Sequence, residues 1–306
     1  MEKTFRIIVP TLNPGQHSSD QVRAFQENDI DPDSVLIIDS SSDDNSIDVY
    51  RDFGAKVITI SRSDFNHGTT RAYAVEQSLE YDFLVYLTQD AKPEKGFLTQ
   101  ILANFDDPEV GLAYGRQMPR LTAGSIERFA RLFNYPETAE TRTLKDKDKF
   151  GIKTCFCSNS FCAYRTSVLV AVGNFPNNTF FAEDQIVATK MLELGCKIVY
   201  DPDAKVVHSH KYTLVQDFKR YFDVGVFHSR NKWITDQFQS SEKKGMSFIT
   251  SEARYLSQNN ILKLPEAFAR NVSKYLGYRL GKMERHLSIS TKKKLSMNSF
   301  YWKSNG

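Results

Sequence analysis

Along the first 120 residues, short apolar runs alternate with longer polar stretches whose apolar residues recur at helical spacing. The runs are Phe5–Val9, Val35–Ile38, Lys56–Ile60, Phe83–Leu87 and Val110–Tyr114. They are rich in β-branched residues and nearly continuous, as strands covered on both faces require. Between them, Ser19–Glu27, Ser46–Phe53, Thr69–Leu79 and Gly96–Phe105 read as helices. This alternation predicts an α/β fold with a mainly parallel sheet of βα units. The middle of the chain changes character. Leu121–Phe150 is charged and weakly periodic, and reads as a helix plus a surface loop. A turn-rich stretch through Ser158-Asn159-Ser160 leads to a helix near Thr166–Val172. Asp184–Leu194 is an amphipathic helix closed by Gly195, the residue type favoured just past a helix end. Two short strands, Lys197–Tyr200 and Lys205–Val207, are separated by Asp201-Pro202. From Leu214 onward the pattern is helical, and Val272, Leu276, Leu280, Met283 and Leu287 form one apolar stripe.

Composition adds an asymmetry to this picture. The 306 residues carry a net charge of only +3, but residues 263–306 hold ten Lys/Arg against Glu266 and Glu284. Such a tail suits an anionic surface or partner. The four cysteines, Cys155, Cys157, Cys162 and Cys196, form neither a disulfide framework nor a paired zinc pattern. They read as reduced, mostly buried thiols of a cytoplasmic protein. Met1-Glu2-Lys3 leads directly into the first strand, so no apolar signal region is expected. No run reaches the roughly 18 apolar residues of a membrane span. Asn177-Asn178-Thr179 and Asn271-Val272-Ser273 match the glycosylation sequon and are read as chance.

The candidate chemistry lies where strands end. In an open α/β sheet, ligands bind beyond the carboxyl ends of the strands. The fourth strand runs into Thr88-Gln89-Asp90-Ala91, which puts a carboxylate at that edge. Such a carboxylate either forms a turn or holds a divalent cation that bridges phosphates. The first strand runs into Thr11, Asn13 and a single Gly15 rather than a GxGxxG turn, so a nicotinamide or flavin role is not expected. Asp39 ends the second strand, where it can accept bonds from a base or ribose. After the third, Asn66-His67-Gly68 opens a helix that carries Arg71, either a solvated arginine or a phosphate ligand. Glu183-Asp184 begins another helix, as a favourable dipole partner or as an acid–base pair. His208 closes the last strand, with His210 as its rival, and each can also be a structural imidazole.

Six segments in one order, PTLN, IDSSSDD, FNHGTTRA, YLTQDAKP, AEDQIVATKMLELG and VVHSH, span about residues 5–210. Together they resemble the inverting GT-A glycosyltransferases of family 2. FNHGTTRA, LTQDA, AYGRQMPR, HSHKYT and QDFKRYFDVGVFH resemble its bacterial rhamnosyltransferase branch. The basic C-terminal segment carries much less of the likeness. The resemblance implies a GT-A fold with a mixed, mainly parallel sheet. It divides the chain into a catalytic domain over 1–213, with a nucleotide part about 1–120 and an acceptor part about 121–213, and a helical basic region over 214–306.

Residue by residue, the resemblance gives Asp39 a contact to the pyrimidine or ribose and Arg71 a place near the base and diphosphate. Thr11, Asn13, Asn66, Gly68 and Gln89 fall in the matching donor-binding loops. Asp90 matches the second carboxylate of the family's Asp-x-Asp, while Thr88 departs from the first. His208 matches the histidine that closes the metal site, reasonable for Mn2+ and unusual for Mg2+. Asp184 matches the base, with Glu183 orienting the acceptor. Ser158 and Asn159 are candidate contacts to sugar hydroxyls.

The expected reaction moves L-rhamnose from dTDP-β-L-rhamnose to a lipid-linked surface glycan, with a divalent metal (Mn2+ or Mg2+) and inversion. The expected setting is the cytoplasm, peripheral at the inner face of the plasma membrane through 263–306, with no nucleic-acid partner. Three alternatives stand beside it: a family 2 enzyme with a UDP-hexose or furanose donor, a nucleotidyl transferase, and a non-catalytic glycan- or lipid-binding scaffold with a degenerate metal site.

Overall fold

The computed structural model describes residues 3–177, 179–238 and 242–304. Asn178, inside one of the two sequon matches, lies outside them. The strands are β1 (Phe5–Thr11), β2 (Val35–Asp39), β3 (Lys56–Thr59), β4 (Phe83–Leu87), β5 (Lys92–Pro93), β6 (Val110–Met118), β7 (Glu140–Arg142), β8 (Phe161–Arg165) and β9 (Lys197–Val207). The helices of the first half are α1 (Gln16–Glu27), α2 (Ser46–Phe53), α3 (His67–Glu76), α4 (Phe97–Ala103), α5 (Ser125–Asn134) and α6 (Lys147–Phe150). Those of the second half are α7 (Thr166–Ala171), α8 (Glu183–Glu193), α9 (Leu214–Arg230), α10 (Lys232–Phe238), α11 (Glu242–Asn259), α12 (Leu264–Lys282), α13 (Ile289–Leu295) and α14 (Tyr301–Ser304).

The strands form one mixed sheet in the order β3-β2-β1-β4-β8-β6-β9-β5, with β7 on β9. β1 pairs in parallel with both β2 and β4. All three therefore end at one edge, and Thr11 lies opposite Asp39 there. Alternate residues of each strand feed different layers. Ile8, Leu36, Ile38, Leu84 and Tyr86 face α3 and α8, while Ile7, Val9, Ile37, Val85 and Leu87 face α1, α2 and α4. Coverage on both faces is why these strands read as continuous apolar runs.

The sequence reading needs correction in three places. Phe161–Arg165, taken as part of a turn-rich stretch, is a central strand, antiparallel to both β4 and β6. Its period is hidden because it is buried on both faces. The two strands around Asp201-Pro202 are one strand, β9, whose register to β6 shifts between Gly115 and Arg116. A bulge absorbs the proline there. The apolar stripe on α12 also divides. Leu280 and Leu287 pack into a small cluster with Phe222 and Trp302, but Val272, Leu276 and Met283 are exposed. The face of α12 that meets α9 is instead lined by glycine. A Cβ on Gly277 would lie 2.3 Å from the Phe218 carbonyl oxygen, and one on Gly281 would lie 2.1 Å from that of Phe222. Small residues let the two backbones touch and leave the large apolar side chains facing outward.

Candidate active site

Asp90 follows β4 and is flanked by two imidazoles from the segment after β9. His208 Nε2 lies 3.4 Å from Asp90 Oδ1, and His210 Nε2 lies 3.5 Å from Oδ2. One ligating atom from each of the three residues falls within 4.8 Å of the others. Both histidines, rather than one or the other, thus face the carboxylate. Gln117 on β6 fixes the tautomer of His208. Gln117 Oε1 accepts from Arg131 Nη1 at 2.6 Å, and His208 Nδ1 lies 2.8 Å from the same oxygen. Nδ1 must then carry the proton, which leaves the Nε2 lone pair toward Asp90. Burial lowers the pKa of His208 and, with His208 nearby, pushes His210 down to about 4. Burial works upward on Asp90, but at the acid pH where a carboxyl titrates His208 and His210 are themselves protonated. The bond from and charge of His208, then the charge of His210, hold Asp90 well below the usual carboxylate range. One carboxylate and two neutral imidazoles are a fitting donor set for Mn2+, and a poorer one for Mg2+.

The second cluster is built on the first turn of α8. Ala182, in a left-handed conformation with φ 55°, leads into the helix, and both Glu183 and the half-buried Asp184 line one cavity. Glu183 is buried. Its Oε1 lies 3.2 Å from Arg71 Nη1 and accepts from Asn159 Nδ2 at 2.9 Å. Burial opposes its charge, but Arg71 and His67 keep it ionised below its ordinary range. Asp184 behaves in the opposite sense. Burial and then the adjacent Glu183 charge push it up to about 7, although it accepts N–H bonds from Asn159 (3.1 Å) and Gln185 (2.8 Å). Two neighbouring carboxylates are driven apart, one held ionised and one poised to exchange a proton near neutrality.

A cavity of about 670 Å³ joins the two clusters. Its walls include Arg71, Thr88, Asp90, Ser158, Asn159, Glu183, Asp184, His208 and His210 among the residues singled out in the sequence. Ser158 and Asn159 are engaged with protein there: Ser158 Oγ accepts from Gln117 Nε2, and Asn159 Oδ1 accepts from the Tyr164 hydroxyl. The other residues of the set sit outside the cavity wall. Gln89 Oε1 accepts from Thr11 Oγ1 and from the Leu12 N–H, which ties the end of β1 to the loop after β4. Asn13 exchanges hydrogen bonds with Asp43, and Asp39 accepts from the Ser42 N–H and hydroxyl. Asn66 caps α3 by accepting from Gly68 and Thr69. Gly68 is dictated by space, since a Cβ there would lie 1.8 Å from the Pro176 carbonyl oxygen.

Sequence reasoning missed Gln117, Arg131, His67, Asp223 and Asn298, all of which line the same cavity. His210 had a signal, because two residues apart in extended chain put side chains on one side. Gln117 and Asn298 had none, since their roles depend on partners 91 and 75 residues away, respectively.

A mixed sheet with the site beyond the ends of β1, β2 and β4, and a helical C-terminal region, defines a GT-A glycosyltransferase fold. The mannosyltransferase PcManGT from Pyrobaculum calidifontis, solved with GDP-Man and Mn2+, superimposes with a TM-score of 0.57 at 19% identity. That alignment covers 99% of this chain and 86% of that one. TarS 1–349 of S. aureus gives 0.54 at 17%, covering 92% and 91%. The sequence profile described as Glycosyl transferase family 2 matches residues 6–173, just over half of the chain. The protein belongs to that family and is a glycosyltransferase. It is 42% identical to the O-antigen chain rhamnosyltransferase WbaN of Salmonella anatum, over 98% of this chain and 96% of that protein. The corresponding figure for RfbN of Salmonella typhimurium is 38%, over 97% and 95%.

Proposed function

We propose that the protein transfers L-rhamnose from dTDP-β-L-rhamnose to a hydroxyl of a growing, lipid-linked bacterial surface glycan. The observation that carries the chemistry is Asp184, raised to about 7 and open to the cavity that also holds Asp90, His208 and His210. The sugar assignment is supported by the two near full-length relatives named as rhamnosyltransferases. In the proposed step the acceptor oxygen attacks the anomeric carbon while the bond to the dTDP oxygen breaks. Asp184 takes the acceptor proton, and one inversion of the β-donor gives an α-linkage. Arg71 and Asn159 hold Glu183, which keeps the base aligned. Asp90, His208 and His210 would hold a divalent cation, whose charge offsets that growing on the departing diphosphate.

The outer face of α12 supports an acceptor presented at a membrane. Phe268, Val272, Tyr275 and Leu276 are exposed, Arg279 shares their face, and no acidic residue does. An apolar stripe edged by cations suits an anionic bilayer surface. No helix among the described residues is long and apolar enough to cross a membrane. Sedimentation with phosphatidylglycerol-containing vesicles tests this face. Phe268→Glu should release the protein, and unchanged binding would remove the membrane contact from the reading.

Incubation with Mn2+, a panel of sugar nucleotides and a synthetic lipid-linked acceptor tests the reaction. Product mass and nucleoside diphosphate release would be followed together. Transfer from dTDP-rhamnose alone supports the proposal; preference for UDP-glucose, UDP-galactose or a furanose donor replaces it, and pyrophosphate release would mark nucleotidyl transfer.

A further inference from the structure

A line of polar side chains runs from the C-terminal segment to the candidate base. Asp223, on α9, is buried and lines the cavity. Its Oδ2 accepts from the Met297 N–H and from Asn298 Nδ2, each at 3.0 Å. The Asn298 side chain in turn hydrogen-bonds His67. His67 Nδ1 lies 3.3 Å from Arg71 Nη1. A guanidinium only donates, so His67 Nδ1 accepts and the imidazole proton sits on the other nitrogen, free to go to the Asn298 carbonyl. Every bond then points the same way: Arg71 to His67, His67 to Asn298, Asn298 to the Asp223 carboxylate. Arg71 is the hub, because the same Nη1 pairs with Glu183.

The segment that supplies Asn298 is anchored just beyond it. Trp302 is buried beside Phe180, Phe222 and Val226. Tyr301 lies 4.4 Å from Phe180, ring centre to ring centre, and its hydroxyl accepts from Arg230. Phe180 stands three residues before Glu183, so the C-terminal segment touches the approach to α8 as well as His67.

We propose that the C-terminal segment is part of the working active site, with Asn298 a positioning residue that acts through His67 and Arg71 on Glu183 and thereby on Asp184. The inference rests on the reading of Asp184 as the base. The groups that face the acid pair are Arg71 and His67 from α3, Tyr86 from β4, Tyr135 just after α5, Cys157 before β8 and Tyr164 on it. Burial keeps Tyr86, Tyr135, Cys157 and Tyr164 uncharged, so Arg71 is the cation that can alter the pair. Arg71 Nη1 also donates to the His67 carbonyl oxygen at 3.0 Å. Loss of Asn298 therefore frees the His67 ring and loosens Arg71 against Glu183 without releasing it, leaving the Glu183 charge acting on Asp184 with somewhat less compensation.

The test uses the full chain without substrate. Carboxylate carbons of aspartate are labelled with 13C, Asp184 is assigned by its loss in Asp184→Asn, and its titration is followed in wild type, Asn298→Ala and Asp223→Asn. Asn298→Ala should move the Asp184 midpoint upward by about half a pH unit and change the ring 15N shifts of His67. Asp223→Asn, which keeps the volume, should move both in the same direction by less. Midpoints unchanged in folded variants would overturn the proposal, as would a lowered melting temperature with no shift, which marks a purely structural strap. If Asn298→Ala does not fold, Asp223→Asn decides. The reading of Asp184 as base fails separately, if Asp184→Asn retains transfer.

Discussion

The value of about 7 at Asp184 makes the pH dependence of transfer a quantitative prediction. A general base works in its deprotonated form, so activity is full above that value and falls below it. A single group at about 7 is roughly nine-tenths ionised at pH 8 and one-tenth at pH 6, so kcat should drop about tenfold between them. Asp90 is held far lower and His210 near 4, so neither should add a limb in this window. Glu183→Gln identifies the group. It removes the second-largest cause of the upward shift and should move the limb to lower pH. The assay is the initial rate of nucleoside diphosphate release at saturating donor, acceptor and Mn2+ across pH 5.5–8.5. Asp184→Asn should lose about 10²–10⁴-fold in kcat while still binding donor. A rate that is flat between pH 6 and 8, or an Asp184→Asn enzyme within tenfold of wild type, would refute the reasoning. Stability carries the opposite sign. The folded value of Asp184 exceeds its ordinary 3.8, so its stabilising contribution is full below that value and is lost as pH rises through about 7. Asp184→Asn should therefore raise the melting temperature more at pH 8 than at pH 5.

Three further outcomes follow from the geometry. Asp90→Ala should abolish saturable Mn2+ binding by calorimetry, and His210→Ala should weaken it, whereas Thr88→Ala should leave it within a few-fold. Gln117→Ala removes the acceptor that fixes the His208 tautomer and should weaken Mn2+ by about 10–100-fold without unfolding the protein. Gly68→Ala forces a Cβ against the Pro176 carbonyl and should cost about 1–3 kcal/mol in denaturant unfolding, with a loss of transfer larger than the loss of donor binding.

Much of this molecule was legible in order along the chain. The five parallel-type runs, the helices between them, and the residues Asp90, Glu183, Asp184 and His208 are local facts. A buried strand must be apolar, a helix must be capped, and a carboxylate after a strand lands at the sheet edge. The left-handed Ala182 that leads into Glu183 and Asp184 was not legible, because alanine gives no sign of a positive φ. Nor was β8, whose antiparallel place between β4 and β6 is fixed by pairing rather than by its own period.

The sequence by itself determined the alternation of elements, the family and the reactive residue types. Tertiary structure decided their chemistry: which carboxylate of an adjacent pair stays ionised, which nitrogen of His208 is free, and that residues near the C-terminus reach the cavity. The physical reason is that burial and charge act through space. Glu183 and Asp184 are alike in the chain, and only the Arg71 guanidinium beside Glu183, with the Glu183 charge and burial acting on Asp184, drive their proton affinities apart.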